Sequence, residues 1–409
     1  MGGHFPMTNR STFYTFLLFF FISSLSLGIS YPTFAYVTYD PNSLISINLH
    51  SSIAKGLTLG FLLALAPAVS FLTCPAIGRL ADEKGKKKIL LACVVVLCVS
   101  QLLTALSLYI GSPTILFVAR AFNGLGSGGS VVISSIIANI SEPKEKAKNF
   151  AFLSAASSLG LIIGPVSAGG LSQKTITLPF LVAALILLFN LLLIASLYKE
   201  DRSSKSETQS LRQDIQLVLG CKKIQWLLVA MLLFMAGWII YWQFMSVNWI
   251  TEYAFTLSQV GIFYTYGAIW AILSSAILIH PLLAKFQSLP LITASCFALS
   301  LLTIVVVIWK SYPLFWVIIP LQQFCFALLG PSAIAFFSNT FQKSQQGTVM
   351  GVLQSIFSLV LVIAPLLGGI SLAAGNDLHI TLGAGLTFFS SLLLAFRYRE
   401  ALRHPLIPK

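Results

Sequence analysis

The sequence predicts an all-α membrane protein: twelve transmembrane helices in two pseudo-symmetric six-helix bundles. Three observations carry this prediction. Apolar runs of about twenty residues recur from end to end, each long enough to cross a hydrocarbon core of roughly 30 Å. Only 9% of the 409 residues are charged against 57% hydrophobic, whereas soluble chains carry about 25% charged residues. The stretch around Pro165 recurs around Pro365 at a constant offset of 200. Lipid leaves only helices and closed barrels as spanning structures, and runs this continuous exclude the alternating strands of a barrel.

The twelve spans are expected near residues 13–38, 54–78, 89–110, 114–140, 149–171, 178–198, 224–248, 259–284, 289–309, 314–338, 348–373 and 379–398. A net charge of +13 could suggest a nucleic-acid partner, but the bases are distributed otherwise. With a cytoplasmic N-terminus, 21 of the 25 Lys and Arg fall on inner segments; Lys55, Lys174 and Lys310 lie outside, and Arg120 within a span. This asymmetry is the positive-inside rule and predicts both termini in the cytoplasm. No nucleic acid is expected.

The first span follows Arg10 but is too long for a signal peptide, carries Pro32 and lacks a small-x-small cleavage site, so it is read as retained. The six cysteines form no metal-like pair and read as buried apolar residues. Residues 199–223 are the one long polar stretch and sit at the midpoint. They predict a cytoplasmic linker, with a short amphipathic helix near Leu211–Leu219, between bundles 1–198 and 224–409. Aligning 138–170 with 338–370 pairs Asn139 with Asn339, Leu153 with Leu353, Pro165 with Pro365 and Gly169 with Gly369. Apolar helices share composition, but coincident Asn, Pro and Gly positions favour duplication. Parallel repeats place a transport site between them at mid-membrane.

Between the second and third spans stands Gly78-Arg79-Leu80-Ala81-Asp82-Glu83-Lys84-Gly85-Lys86-Lys87-Lys88. Its bases suit an anionic inner leaflet, and Asp82 could cap a helix N-terminus. In the fourth span, Arg120 precedes Asn123, Gly124, Gly126 and Gly128. A charge inside a span is by default functional, although at about 9 Å depth Arg120 could instead snorkel. In the fifth span, Gly160, Gly164, Pro165 and Gly169 offer a small-residue packing face and a kink.

These three motifs resemble those of the major facilitator superfamily, in its drug-exporter-like branch. The loop matches Gly-x-Leu-Ala-Asp-Arg-x-Gly-Arg-Lys except at Glu83. Arg-x-x-x-Gly-x-Gly resembles the fourth-helix motif of proton-coupled members. Gly-x-x-x-Gly-Pro resembles the exporter motif, with Ala168 where a closing glycine usually stands. The resemblance implies the major facilitator fold and alternating access. It gives a gating role to Gly78, Asp82, Gly85, Lys86 and Lys87, a coupling role to Arg120, and packing roles to the glycines with Pro365 and Gly369.

No Asp or Glu is expected in the interior of a span; the nearest acids are Asp40 and Glu252, at the outer ends of the first and seventh. They are the candidate proton partners of Arg120. His280, near the inner end of the eighth span, reads as an interfacial residue. Candidate cavity residues are Tyr31, Tyr36, Asn123, Tyr241, Gln243, Asn248, Tyr264, Tyr266, Trp270, Gln322, Gln323 and Gln354. Each could equally be an interfacial aromatic or a helix-helix hydrogen bond. Together they suit a neutral, amphipathic solute.

The expected function is secondary export of an amphipathic small molecule, a drug or a secreted metabolite such as a siderophore. A nutrient importer of the same superfamily is the alternative, and a non-transporting receptor a more distant one. No carboxylate pair, metal cluster or Ser-His-Asp set suggests an enzyme. No cofactor is expected, a proton gradient being the candidate energy source. The expected setting is the bacterial inner membrane, the partners being lipid and substrate, and the chain is expected to act as a monomer.

Overall fold

The computed structural model describes residues 7–403 apart from 48, 50, 142–145, 199–221, 278–280, 283–284, 310, 341–345 and 376. The expected linker helix and His280 lie outside the described residues, and so does the side chain of Gln354.

Fourteen helices are described. The first eight are α1 (Met7–Tyr39), α2 (Leu44–Ile47), α3 (Ser52–Lys84), α4 (Lys86–Ile110), α5 (Pro113–Gly126), α6 (Gly129–Ile140), α7 (Lys146–Leu171) and α8 (Leu178–Leu197). The others are α9 (Lys222–Tyr253), α10 (Leu257–Ile277), α11 (Ser288–Ile308), α12 (Tyr312–Thr340), α13 (Gln346–Ala374) and α14 (Leu378–Arg403). Twelve spans in this set are long and apolar enough to cross a membrane, α5 and α6 together making the fourth. The protein is an integral membrane protein of all-α class.

Three boundaries differ from the sequence expectation, each for a local reason. The loop after the second span is not a multi-residue turn: α3 runs on through Asp82 to Lys84, and Gly85 alone separates it from α4. Gly85 has φ 102° and ψ 129°, and its N–H is held by the Ala81 carbonyl at 3.1 Å. A side chain is strained at that φ, so one glycine makes the whole reversal. The fourth span breaks at Ser127–Gly128, where a Cβ on Gly128 would collide with Ile77. The seventh span extends to Tyr253, so Glu252 lies on its last turn rather than in a loop.

The chain forms two compact units. One comprises Met1–Glu207 and Trp249–Thr265, the other Thr208–Asn248 and Tyr266–Lys409. In the first, α1 packs along α7, α4 along α5 and α8, and α3 along α5. In the second, α11 packs against α12 and α14.

The repeat is visible in this packing. Helices α7 and α13 begin at 146 and 346, α8 and α14 at 178 and 378, and both α7 and α13 carry an internal proline. Leu161 and Ile163 face outward, as do Leu361 and Ile363, while Pro165 and Gly169 are buried, as are Pro365 and Gly369. Asn190 on α8 donates to the Thr15 carbonyl of α1 at 3.0 Å; its equivalent Ser390 on α14 donates to Ala230 of α9 at 2.6 Å.

Candidate functional site

The first unit holds a buried polar core assembled from four helices. Arg120 projects from α5 and is only 2% exposed. Its Nε donates to the Leu62 carbonyl of α3 at 3.0 Å and its Nη1 to Ser30 Oγ of α1 at 3.5 Å. The guanidinium lies over the Phe34 ring at 5.2 Å, and Phe34 stacks on Phe180 of α8. Nη2 has no hydrogen-bond partner among the described residues. The side chain therefore does not snorkel. It is solvated by a carbonyl, a hydroxyl and an aromatic face, with no carboxylate within ion-pair distance among the described residues.

About one turn along α5, Asn123 Nδ2 donates to Ser26 Oγ at 3.3 Å and Ser100 Oγ at 3.4 Å. Gln101 Nε2 of α4 joins the same two hydroxyls at 2.7 and 3.3 Å. Ser26, Ser30, Ser100 and Gln101 were not singled out from the sequence. The available signal was the i, i+4 spacing of Ser26 and Ser30 and the adjacent Ser100-Gln101 pair within an otherwise apolar α4.

Glycines let these helices approach closely. A Cβ on Gly124 would sit 2.5 Å from the Ala66 carbonyl, and one on Gly126 2.5 Å from Leu97 Cγ. On α7, a Cβ on Gly160 would strike the Phe21 carbonyl, and one on Gly164 would lie 2.6 Å from Gly28 Cα. Farther along α7, a Cβ on Gly169 would come within 3.0 Å of Ser258 Cα, and Gly261 of α10 meets the Pro165 carbonyl in the same way. Thus at these glycines the α1–α7–α10 seam of this unit brings main chain against main chain.

The remaining expected residues are scattered. Tyr31 is half-buried on α1, and the Tyr36 carbonyl accepts from the Asp40 main-chain N–H at 2.8 Å. Neither Asp40 nor Glu252 makes an ion pair with Arg120, so the expected partnership is absent from this conformation. Asp82 lies 3.8 Å from Lys86 Nζ, which also bonds Ser135 Oγ at 2.8 Å, while Lys87 Nζ reaches the Ala195 carbonyl at 2.7 Å. Gly78 lies on α3 near Val131. Tyr264 is buried against Trp249.

In the second unit, Gln322 Nε2 donates to the Tyr241 hydroxyl at 2.9 Å, and Gln243 and Gln323 are buried. Tyr266 donates to the Trp316 carbonyl at 2.8 Å and packs its ring between Trp316 and Trp270. Trp238 stacks on Trp242 and Phe326 beside Tyr241, an aromatic wall that the sequence reading missed. Asn248 is not with these residues. It lies near the end of α9, joined to Asp377 and His379. The expectation that Asp40 and Glu252 are the acids nearest the spans therefore needs correction: Asp377 immediately precedes α14.

Twelve candidate spans, with buried polar residues inside each unit, make this a polytopic α-helical membrane protein. The chain belongs to the Major Facilitator Superfamily, whose profile matches residues 15–365. It is 25% identical over 371 residues to "Multidrug resistance protein 2" of Bacillus subtilis (strain 168), covering 88% of each chain. It is 25% identical over 322 residues to "Tetracycline resistance protein, class H" of Pasteurella multocida, covering 75% of this chain and 78% of that one. Its fold is similar to the crystal structure of nucleoside transporter NupG, with TM-score 0.73, 12% identity, and 97% and 100% coverage.

Proposed function

We propose that the protein exports an amphipathic small molecule, a drug or a secreted metabolite, by alternating access across a bacterial inner membrane. The observation that carries this reading is the near-full-length similarity to relatives named for drug resistance, because a membrane carrier confers resistance by moving the drug outward. The interior is consistent with it. The described spans supply amides, hydroxyls and aromatic rings, which suit an amphipathic solute better than a polyanion, with Arg120 as the one charged side chain buried among them. The positive-inside distribution supports a topology with both termini and residues 199–223 in the cytoplasm.

In this reading Asp82 exchanges its Lys86 partner for a helix terminus during the cycle, and the glycine seams of α5 and α7 hold the first unit together as the access changes. The test is uptake of tetracycline, norfloxacin and ethidium into inside-out vesicles, with and without an imposed proton gradient. Gradient-dependent accumulation of at least one is expected. Accumulation of none of the three, or accumulation only in right-side-out vesicles, refutes export.

A further inference from the structure

We propose that His379, Asn248 and Asp377 form the proton-binding site that energises transport; the coupling part of this proposal rests on the export reading above. The three side chains make one hydrogen-bonded chain within the second unit. Asn248 Nδ2 donates to Asp377 Oδ1 at 3.3 Å, and Asn248 Oδ1 lies 2.6 Å from His379 Nε2. Asp377 is exposed, Asn248 is 3% exposed and His379 0%. The chain thus leads from the surface at the start of α14 into the protein interior. With both termini cytoplasmic, that start faces outward.

The chemistry fixes where protons stand. An ionised Asp377 only accepts, so Asn248 must turn its NH2 toward it and its carbonyl toward the imidazole. An amide carbonyl also only accepts, so His379 Nε2 carries a hydrogen in either charge state. An incoming proton can then add only at Nδ1, making an imidazolium whose charge is balanced by Asp377 through the oriented Asn248 dipole. The Phe244 ring, 6.1 Å from the imidazole, packs against Gly368 where a side chain on that glycine would collide. Imidazole is the side chain whose ordinary titration range spans the pH values a cell membrane separates.

Among the described residues, the titratable neighbour on the part of α9 that belongs to this unit is Tyr241, whose hydroxyl is held by Gln322. Helix α11 carries only Cys296, and α13 no titratable residue. Asp377 is the acid joined to His379, through Asn248. No span among the described residues holds a carboxylate in its interior, and His379 is a fully buried imidazole at the start of α14.

The experiment follows the ring resonances of full-length protein labelled with 15N-histidine in lipid nanodiscs, the His379→Gln variant assigning the signal. Ethidium and tetracycline transport are measured in parallel in proteoliposomes. The His379 ring should titrate between about pH 5 and 8, and Asp377→Asn should lower the midpoint by about one unit. His379→Gln keeps an N–H for Asn248 but cannot titrate; it should lose gradient-driven transport at least tenfold while retaining exchange of substrate for substrate. The proposal is overturned by a ring signal flat across that range, by a midpoint that ignores Asp377→Asn, or by undiminished gradient-driven transport in His379→Gln. Loss of coupling in Glu252→Gln with His379→Gln intact overturns it too. If the wild type moves neither probe in either direction, the export reading fails instead. The titration then still decides whether His379 binds the proton.

Discussion

Replacing Gly164 by alanine perturbs the seam between α1 and α7 at its tightest described point but one. A Cβ there would lie 2.6 Å from Gly28 Cα, 2.7 Å from Gly28 C and 2.8 Å from Ile29 N, all main-chain atoms that cannot rotate away. Ordinary contact begins near 3.4 Å, so the helices must part locally by about 0.8 Å, the difference from 2.6 Å. A gap of that size forfeits a quarter to a half of the dispersion energy across the opened surface. Overpacking of this kind costs about 1–3 kcal/mol. Gly28→Ala is milder, since its Cβ would meet its nearest neighbour at 3.0 Å and needs an adjustment of only about 0.4 Å. Gly170→Ala on the same helix meets nothing within 4 Å and should be neutral or gain up to about 1 kcal/mol from the helical preference of alanine. Unfolding of the purified proteins in mixed micelles by added SDS, followed by circular dichroism, gives the ranking. The expected order of loss is Gly164→Ala, then Gly28→Ala, then Gly170→Ala. Equal stability of Gly164→Ala and Gly170→Ala would refute a main-chain seam.

Arg120→Met removes a buried cation that no carboxylate balances, so stability should stay within about 1 kcal/mol or rise while transport is lost; marked destabilisation in the same SDS titration would show the guanidinium to be a structural tie. Asp82→Asn should change stability by less than about 1 kcal/mol, because its Lys86 pair is partly exposed, yet slow the transport cycle. A wild-type turnover rate in proteoliposomes removes the latch role. A cysteine at position 207 in a cysteine-free background should react with a membrane-impermeant maleimide only after the cells are opened, and labelling of intact cells refutes the topology.

The spans were legible because their physics is one-dimensional: an apolar run of sufficient length has to cross, whatever its neighbours do. The glycine motifs were legible for a similar reason, since a small residue every fourth position marks a close approach without naming the partner. Helix rotation was not legible. Nothing in the order of residues says that Ser26 and Gln101 meet, or that Trp238 and Trp242 stack while Asn248 joins Asp377 and His379. Asp377 escaped notice because the apolar run begins two residues later, and His379 because a single imidazole at a span's edge carries no periodic signal. The turn at Gly85 was read as longer than it is because charged residues resemble a loop even when they continue a helix.

The two copies of the repeat have diverged in mechanical character. In the first, α1 and α7 meet at Gly28, Gly160 and Gly164 largely main chain to main chain, with Ser24 bonded to Ser157 and Phe13 against Phe152 on either side. Two hundred residues on, the counterparts of Gly160 and Gly164 are Val360 and Ala364, buried with Ile240 and flanked by Leu382 and Leu386. Backbone faces in contact either fit or separate, so the first copy responds to load as a stiff plate. An aliphatic layer can absorb small displacements by switching rotamers, so the second copy is the softer at these two positions, its own main-chain contact lying elsewhere, between Gly237 and Gly383.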